Sequence, residues 1–467
     1  MPETPSFRNT FLWTICLVAA MGGLLFGYDW VVIGGAKAFY EPFFSISDKT
    51  PFLRGFAQSS ALVGCLAGAL LSGSLTGRFG RKKMLILSGF LFTASAVGTA
   101  LARDFPSFVS FRILGGLGIG LASILSPMYI AEISPAERRG KFVSINQLTI
   151  VIGIVAAQGI NWLIARPVPP GATAEAILHS WNGRLGWRWM FGAETVPAGL
   201  FFLLAFFIPE SPRWLVKKGR TGPAGKILSA LGGEDYARAT LAEIQRTLEG
   251  GEAKVAFRTL LEPGILKILA LGAFLALFQQ WCGINVIFLY AQEVFAGAGY
   301  QVSEILFKIL ITGLVNLLFT FAAIRTVDRL GRRKLMLLGA GGLAAIYAVL
   351  GWGYLQGSKG IPMLILVVSA IACYAMTLAP VTWVILSEIF PNRVRGAAMS
   401  VAVFTLWTAC AALTLTFPYL QGGMGTAGTF WLYGGICLGS FFVLAKKLPE
   451  TKGKSLEEIE RKLTGPR

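Results

Sequence analysis

The chain has 467 residues, of which 54% are hydrophobic and only 14% charged, whereas a soluble domain carries about 25% charged residues. Its mean hydropathy is +0.64. These figures leave too few charges to cover a soluble surface, exclude disordered, collagen-like and disulfide-scaffold chains, and predict an all-α polytopic membrane protein. Twelve apolar stretches reach the length of about 20 residues that a bilayer demands. They are predicted at 11–35, 54–77, 84–102, 107–133, 142–165, 189–208, 264–296, 303–325, 333–355, 362–390, 395–420 and 426–447. The net charge of +18 suggests a nucleic-acid partner only until the cations are placed. With both termini on one side, most Lys and Arg fall on that side. This is the positive-inside pattern, so both termini are expected in the cytoplasm and the charge reads as topology.

In chain order, span 1 carries Asp29, with Phe26 one turn earlier as a cavity wall. Span 4 carries Arg112 and span 6 Glu194. An unpaired charge at the bilayer centre costs about 2.5–3.5 kcal/mol even on a lenient scale. Such groups must pair or face water. Asp29 and Arg112 have opposite signs and lie in the same part of the chain. A low-dielectric surrounding favours the neutral acid, and a nearby guanidinium favours the carboxylate. The pair therefore reads either as a proton switch or as a static ion pair that fixes helix packing.

Amides follow at Gln147 in span 5, Gln279, Gln280 and Asn285 in span 7, and Asn316 in span 8. An amide both donates and accepts, as a sugar hydroxyl does. Isolated amides in bundles more often bond between helices. Gln279, Gln280 and Asn285 differ because Gly283 interrupts their helix, and broken helices at mid-membrane are where transporters bind substrate. Trp383 in span 10 and Trp407 in span 11 read either as platforms that stack on the apolar face of a sugar ring or as the tryptophans common at membrane interfaces. The six cysteines all fall in apolar spans without metal-ligand spacing and read as small buried hydrophobes. His179, the one histidine, falls in the predicted external loop 166–188. The first apolar stretch lacks a convincing cleavage site and reads as span 1 rather than a signal peptide. Gly64-x3-Gly68, Gly73-x3-Gly77 and Gly116-x3-Gly120 offer close helix packing.

The sequence also repeats itself. GRFGRKK (77–83) recurs as DRLGRRK (328–334), Glu132-x6-Arg139 as Glu388-x6-Arg395, and PESPR (209–213) as PETKG (449–453). The order is the same, at offsets of about 250 residues, which marks two related halves. The predicted organisation is a six-helix half over 1–208, a cytoplasmic linker of short helices over 209–263, a second six-helix half over 264–447, and a cytoplasmic tail over 448–467. Arg78, Arg81, Glu132, Arg139, Glu210 and Arg213 have counterparts in Arg329, Arg332, Glu388, Arg395 and Glu450, with Asp328 added. Isolated surface pairs contribute about 0–1 kcal/mol each. Carboxylates placed equivalently in both halves suit a cytoplasmic gate, a network between the halves that many weak links close and open.

These motifs, with GGLLFGYD (22–29), PESPRWL (209–215) and QQWCGIN (279–285), resemble the sugar porters of the major facilitator superfamily over nearly the whole chain. One departure is Gly77, where that family usually has Asp or Asn. The resemblance implies the major facilitator fold, twelve helices in two pseudo-symmetric six-helix halves. It implies Asp29, Arg112 and Glu194 as the proton-coupling set, since uniporting relatives usually carry Asn at the first position. It also implies sugar contacts at the five amides and at Trp383 and Trp407. Ile154 and Phe288 resemble hexose carriers, whereas Leu406, Cys410 and Leu289 replace groups that are often polar and leave fewer contacts. The expected function is proton-coupled symport of a monosaccharide, a hexose such as glucose being favoured, by alternating access in the cell membrane. A facilitative uniporter, a pentose or polyol porter and a non-transporting sugar sensor are the alternatives. No enzyme constellation, cofactor or metal site is expected. The partners are the sugar, a proton and the bilayer, with no nucleic acid, and the chain is expected to function as a monomer.

Overall fold

The computed structural model describes residues 9–135, 138–249, 257–391, 394–453 and 458. In chain order its helices are α1 (Asn9–Phe43), α2 (Pro51–Phe79), α3 (Arg81–Leu101), α4 (Phe105–Ile133), α5 (Arg139–Ile164), α6 (Ala174–His179), α7 (Trp187–Gly192), α8 (Thr195–Leu204) and α9 (Pro212–Lys217). They continue with α10 (Thr221–Glu249), α11 (Pro263–Trp281), α12 (Ile284–Leu289), α13 (Ala291–Gly297), α14 (Val302–Leu330), α15 (Arg332–Leu355), α16 (Ile361–Met376), α17 (Leu378–Ile389) and α18 (Arg395–Lys447).

Among the described residues ten helical runs are long and apolar enough to cross a membrane, two of them joining α11 with α12 and α16 with α17. The twelve predicted spans come from two adjustments. Helix α18 has 53 residues, which at 1.5 Å per residue is about 80 Å, far beyond a hydrocarbon core of about 30 Å. It breaks at Gly425 (φ 69°), where the sequence places the boundary between two spans. The predicted span 189–208 is divided between α7 and α8, each too short to cross alone. Glu194 stands at the break, as the residue before α8.

Helix α1 runs eight residues beyond its predicted end at 35, through Lys37 and Glu41. Those two charges sit four apart and pair at 3.5 Å, which lets the helix continue through polar residues. The predicted external loop contains α6, with His179 exposed in its last turn, and a π-helical turn at Asn182–Gly186. The linker is helical in α9 and α10, with a kink at Gly233. Trp214, Leu215, Val216 and Ala224 form a small core there, packed on by Ile227, Leu241 and Ile244.

By packing, the chain divides into two compact units, the first holding Met1–Asp29, Val63–Gly153 and Phe191–Lys254 and the second Trp30–Leu62, Ile154–Met190 and Val255–Arg467. This division passes through α1, α2, α5 and α7 and differs from the boundaries at 208 and 264 that the motif repeat suggests. In the first unit, α2 crosses α4 at small residues. A Cβ on Gly120 would lie 2.8 Å from Ala69 N, and one on Gly68 would lie 3.1 Å from Gly120 Cα. The Gly64, Gly68 and Gly120 contacts thus bring the two backbones together. A Cβ at Gly73 or Gly77 would meet nothing within 4 Å among the described residues, so the Gly73-x3-Gly77 spacing does no packing. The absent Asp at 77 leaves room, and the Gly77 carbonyl accepts a hydrogen bond from Trp214 Nε1 at 3.1 Å.

Candidate functional site

In the first unit, Asp29 on α1, Arg112 on α4 and Glu194 at the start of α8 are all buried, at 1%, 2% and 3% exposure. Arg112 Nη1 forms an ion pair and hydrogen bond with Asp29 Oδ1. Its Nη2 donates to the Asp29 carbonyl at 3.3 Å. The guanidinium carbon stands 5.5 Å from the centre of the Phe191 ring, a distance at which the ring face attracts a cation. Gly115, three residues beyond Arg112, allows the carboxylate in. A Cβ there would lie 2.9 Å from Asp29 Oδ2. The Glu194 carboxylate is within electrostatic reach of both partners.

The pair is incompletely satisfied. Asp29 Oδ2, Arg112 Nε and Glu194 Oε1 are buried without hydrogen-bond partners among the described residues. Each such atom costs about 1–3 kcal/mol.

The second unit holds the amides. Helix α11 ends at Trp281, and Gly283 turns the chain at φ 86° into α12. Gln280 Nε2 donates to Gln279 Oε1 at 3.0 Å. Asn285 Nδ2 donates to Gln280 Oε1 and stands 3.8 Å from Cys410 Sγ on α18. Three amides thus form one chain of hydrogen bonds that ends on a thiol, where a more polar residue would have extended it. Phe288 lies one turn beyond Asn285 on α12 and is 6% exposed. Trp407 on α18 is buried and meets Trp30 edge to face, with ring centres 5.8 Å apart. Trp30 escaped the sequence reading, although an aromatic beside a membrane-buried acid was a visible signal.

Asn316 is buried on α14, while Trp383 on α17 is exposed. Neither is hydrogen-bonded to the amide chain among the described residues. Ile154 is buried on α5. Gln147 is exposed on α5 and Phe26 half-buried on α1, both in the first unit. Among the described residues no group of His, Cys, Asp and Glu is arranged to hold a metal, and the six cysteines are free thiols.

The charge motifs form two similar assemblies, one in each unit. Arg81 grips Glu132 with two hydrogen bonds, of 2.7 and 2.8 Å, and Arg332 donates to Glu388 at 3.2 Å. Glu210 accepts from the backbone N–H of Arg81 at 2.8 Å and of Lys82. Glu450 accepts from the N–H of Arg332 at 2.9 Å and of Arg333. Gly80 and Gly331, at φ 93° and 87°, make these turns possible. At Gly331 a Cβ would lie 2.8 Å from Glu450 Oε2. Arg139 and Arg395 bond the carbonyls of Ala131 and Phe390 at the ends of α4 and α17, a common way to close a helix C-terminus. Arg78 lies over the Phe79 ring, Arg213 is exposed, and the Arg329 carbonyl accepts from Lys452. The side chain of Asp328 lies outside the described residues. The repeated motifs predict these pairs between the halves. The described ones each close within one unit, because the glycine turns set the arginines beside the loops at 209–211 and 449–452.

Partial burial works to raise the Glu450 carboxyl's pKa, and the N–H groups of Lys452, Arg332, Arg333 and Thr451 outweigh it and hold the pKa below its usual value. A depressed folded-state pKa adds stability above the unfolded value, lost as pH falls through the folded one. Glu450→Gln should therefore lower Tm at pH 7. The gap from the parent should close as pH drops below about 4, as read by thermal melts over a pH series.

A further buried cluster was missed in the sequence. Lys37 on α1 and Glu293 on α13 form an ion pair, with Glu41 and Arg54 beside them. Glu293 falls inside the apolar stretch 264–296, which was signal enough.

The sequence profile of the family described as Sugar (and other) transporter matches residues 15–463. The chain is 39% identical to the D-xylose-proton symporter of Escherichia coli (strain K12), over 97% of this chain and 96% of that protein. It is 38% identical to the arabinose-proton symporter of Bacillus subtilis (strain 168), over 99% and 97%. An inward-open structure of the xylose transporter XylE from E. coli superposes with a TM-score of 0.84 at 38% identity, covering 97% of this chain and all of that one. The chain therefore belongs to the sugar (and other) transporter family, as a multi-pass membrane protein with the twelve-helix major facilitator fold and not an enzyme.

Proposed function

We propose that the protein imports a pentose together with a proton, by alternating access. The observation that carries the proton part is the buried Asp29–Arg112 pair with its unfilled valences and Glu194 beside it. Asp29 takes the proton, Arg112 competes for the carboxylate, and Glu194 assists. Gln147, Gln279, Gln280, Asn285 and Asn316 hold the hydroxyls, while Phe26, Ile154, Phe288, Trp383 and Trp407 supply apolar walls. The halves 1–208 and 264–447 rock about this site, joined by the linker 209–263, and the cytoplasmic charge assemblies, each closed within its own unit, serve as the gate by holding the helix ends of each half together. Both termini face the cytoplasm, the membrane is the cell membrane, and a monomer suffices.

A pentose replaces the hexose that Ile154 and Phe288 favour. The relatives named for xylose and arabinose support it. The physical reason is that apolar wall residues bound the sugar's size from above. A pocket wide enough for a hexose also admits a pentose, which lacks the hydroxymethyl group. Apolar pockets discriminate such small groups by only about 10–200-fold.

The test is uptake into proteoliposomes under an inward proton gradient, with labelled D-xylose, L-arabinose, D-glucose and myo-inositol. Xylose or arabinose should accumulate most. Accumulation of glucose alone would reject the pentose, and equilibration without accumulation of any sugar would reject symport.

A further inference from the structure

The proposed mechanism leaves the second buried charge cluster unused. Lys37 is fully buried, at 0% exposure. Its ammonium pairs with Glu293, lies 3.5 Å from Glu41, and stands 4.4 Å from the centre of the Tyr290 ring. Arg54 on α2 completes the set. Its Nε donates to Glu41 at 3.2 Å, its Nη2 lies 3.6 Å from Glu293, and its Nη1 pairs with the exposed Asp48. Glu41 and Glu293 are thus each shared between one lysine and one arginine.

The location gives the cluster its interest. Helix α13 lies between two breaks, at Tyr290 (φ −118°, ψ 30°) and at Gly299 (φ 84°). Its Ala291, Val294 and Phe295 side chains are buried, and hydrogen bonds run from Tyr354 Oη to the Val294 carbonyl at 2.6 Å and from Gly360 N to the carbonyl of Ala298, just past its end, at 3.0 Å. The break at Tyr290 also ends α12, which carries Asn285 and Phe288. Any movement of α13 therefore pulls on the end of the amide-bearing segment. Lys37 touches α13 through Glu293 and touches the hinge through Tyr290.

Removing the ammonium would leave two buried carboxylates facing one guanidinium. Glu293 Oε2 already lacks a hydrogen-bond partner among the described residues. A buried charge that loses its counter-ion is strongly destabilising, and α13 can relieve it by swinging away from α1. We infer that Lys37 is a positioning residue that clasps the hinged helix α13 to α1 and so sets the position of segment 290–299, which follows the amide-bearing α12. Its effect on turnover rests on the transport reading above; the clasp itself does not.

The test uses the full chain in lipid nanodiscs and in proteoliposomes, comparing the parent with Lys37→Met and with Lys37→Met/Glu293→Gln. In Lys37→Met, amide hydrogen exchange over 290–299 should rise about tenfold, with other helices unchanged. The double variant, which removes both charges of the pair, should return to within about threefold of the parent. D-xylose affinity by titration should change less than about threefold, while turnover falls about tenfold, the split expected of a conformational step. Three results would overturn the clasp: unchanged exchange over 290–299, a double variant no better than the single, or exchange rising evenly throughout the chain. If Lys37→Met does not fold, Glu293→Gln replaces it, and unchanged local exchange there also overturns the proposal. If the parent carries no sugar, the transport reading fails by itself and the exchange arm still decides the clasp.

Discussion

Asp29→Asn proteoliposomes are expected to bring D-xylose to equal concentrations inside and outside, however steep the proton gradient. One pH unit is worth about 1.4 kcal/mol per proton. One proton per sugar therefore sustains up to about tenfold accumulation per pH unit in the parent. The amide keeps nearly the shape of the carboxylate and can still accept from Arg112, whose Nη1 and Nη2 both reach Asp29. It cannot take up or release a proton. Coupling should vanish while sugar-for-sugar exchange, which needs no net proton movement, persists. Radiolabel accumulation and counterflow in the same vesicles separate the two. Accumulation by the variant at the parental level would remove Asp29 from the coupling role. Loss of counterflow together with accumulation would mark the pair as a packing element.

Gly283→Val is expected to cost on the order of 2–5 kcal/mol of stability and most of the sugar affinity. The backbone there sits at φ 86°, a conformation that β-branched residues rarely adopt. The added carbon would also lie 2.7 Å from Tyr433 Cγ, and that ring is buried at 0% exposure with little room to give. The chain can respond only by shifting α12 against α11. That shift separates Asn285 from Gln280, whose hydrogen bond spans the turn. Thermal melts and sugar titration should therefore fall together. A variant with parental Tm and parental affinity would show that the turn does not set the amide chain.

Much of the framework was legible because the bilayer imposes a length. Runs of about 20 apolar residues leave few alternatives to helices. The limits came from interactions that composition hides. Apolar composition ends helix α1 at 35, whereas the partners Glu293 and Arg54 keep Lys37 and Glu41 in a buried continuation of it. The break at Gly283 could be read from a glycine among amides. The break at Tyr290 carries neither glycine nor proline, and it is tied by the Tyr290 hydroxyl's bond to the Thr414 carbonyl at 2.6 Å, which is invisible in sequence. Asp29 and Arg112 were conspicuous as lone charges of opposite sign. Their unfilled valences, and the notch that Gly115 leaves for the carboxylate, needed coordinates. The repeated charge motifs showed which residues are equivalent. They did not show that Arg81 and Glu132, or Arg332 and Glu388, close within their own units. Sugar size was the weakest reading, since wall residues such as Ile154 and Phe288 limit a ligand without choosing it.

The central claim is that sugar movement and proton movement are one event at Asp29. Its most direct measurement is the proton flux that D-xylose itself sets off in proteoliposomes held without any initial pH gradient, followed with an entrapped pH dye. The account predicts that adding xylose outside acidifies the lumen of parental vesicles and leaves Asp29→Asn vesicles unchanged. Xylose entry in the parent with no accompanying acidification would contradict it.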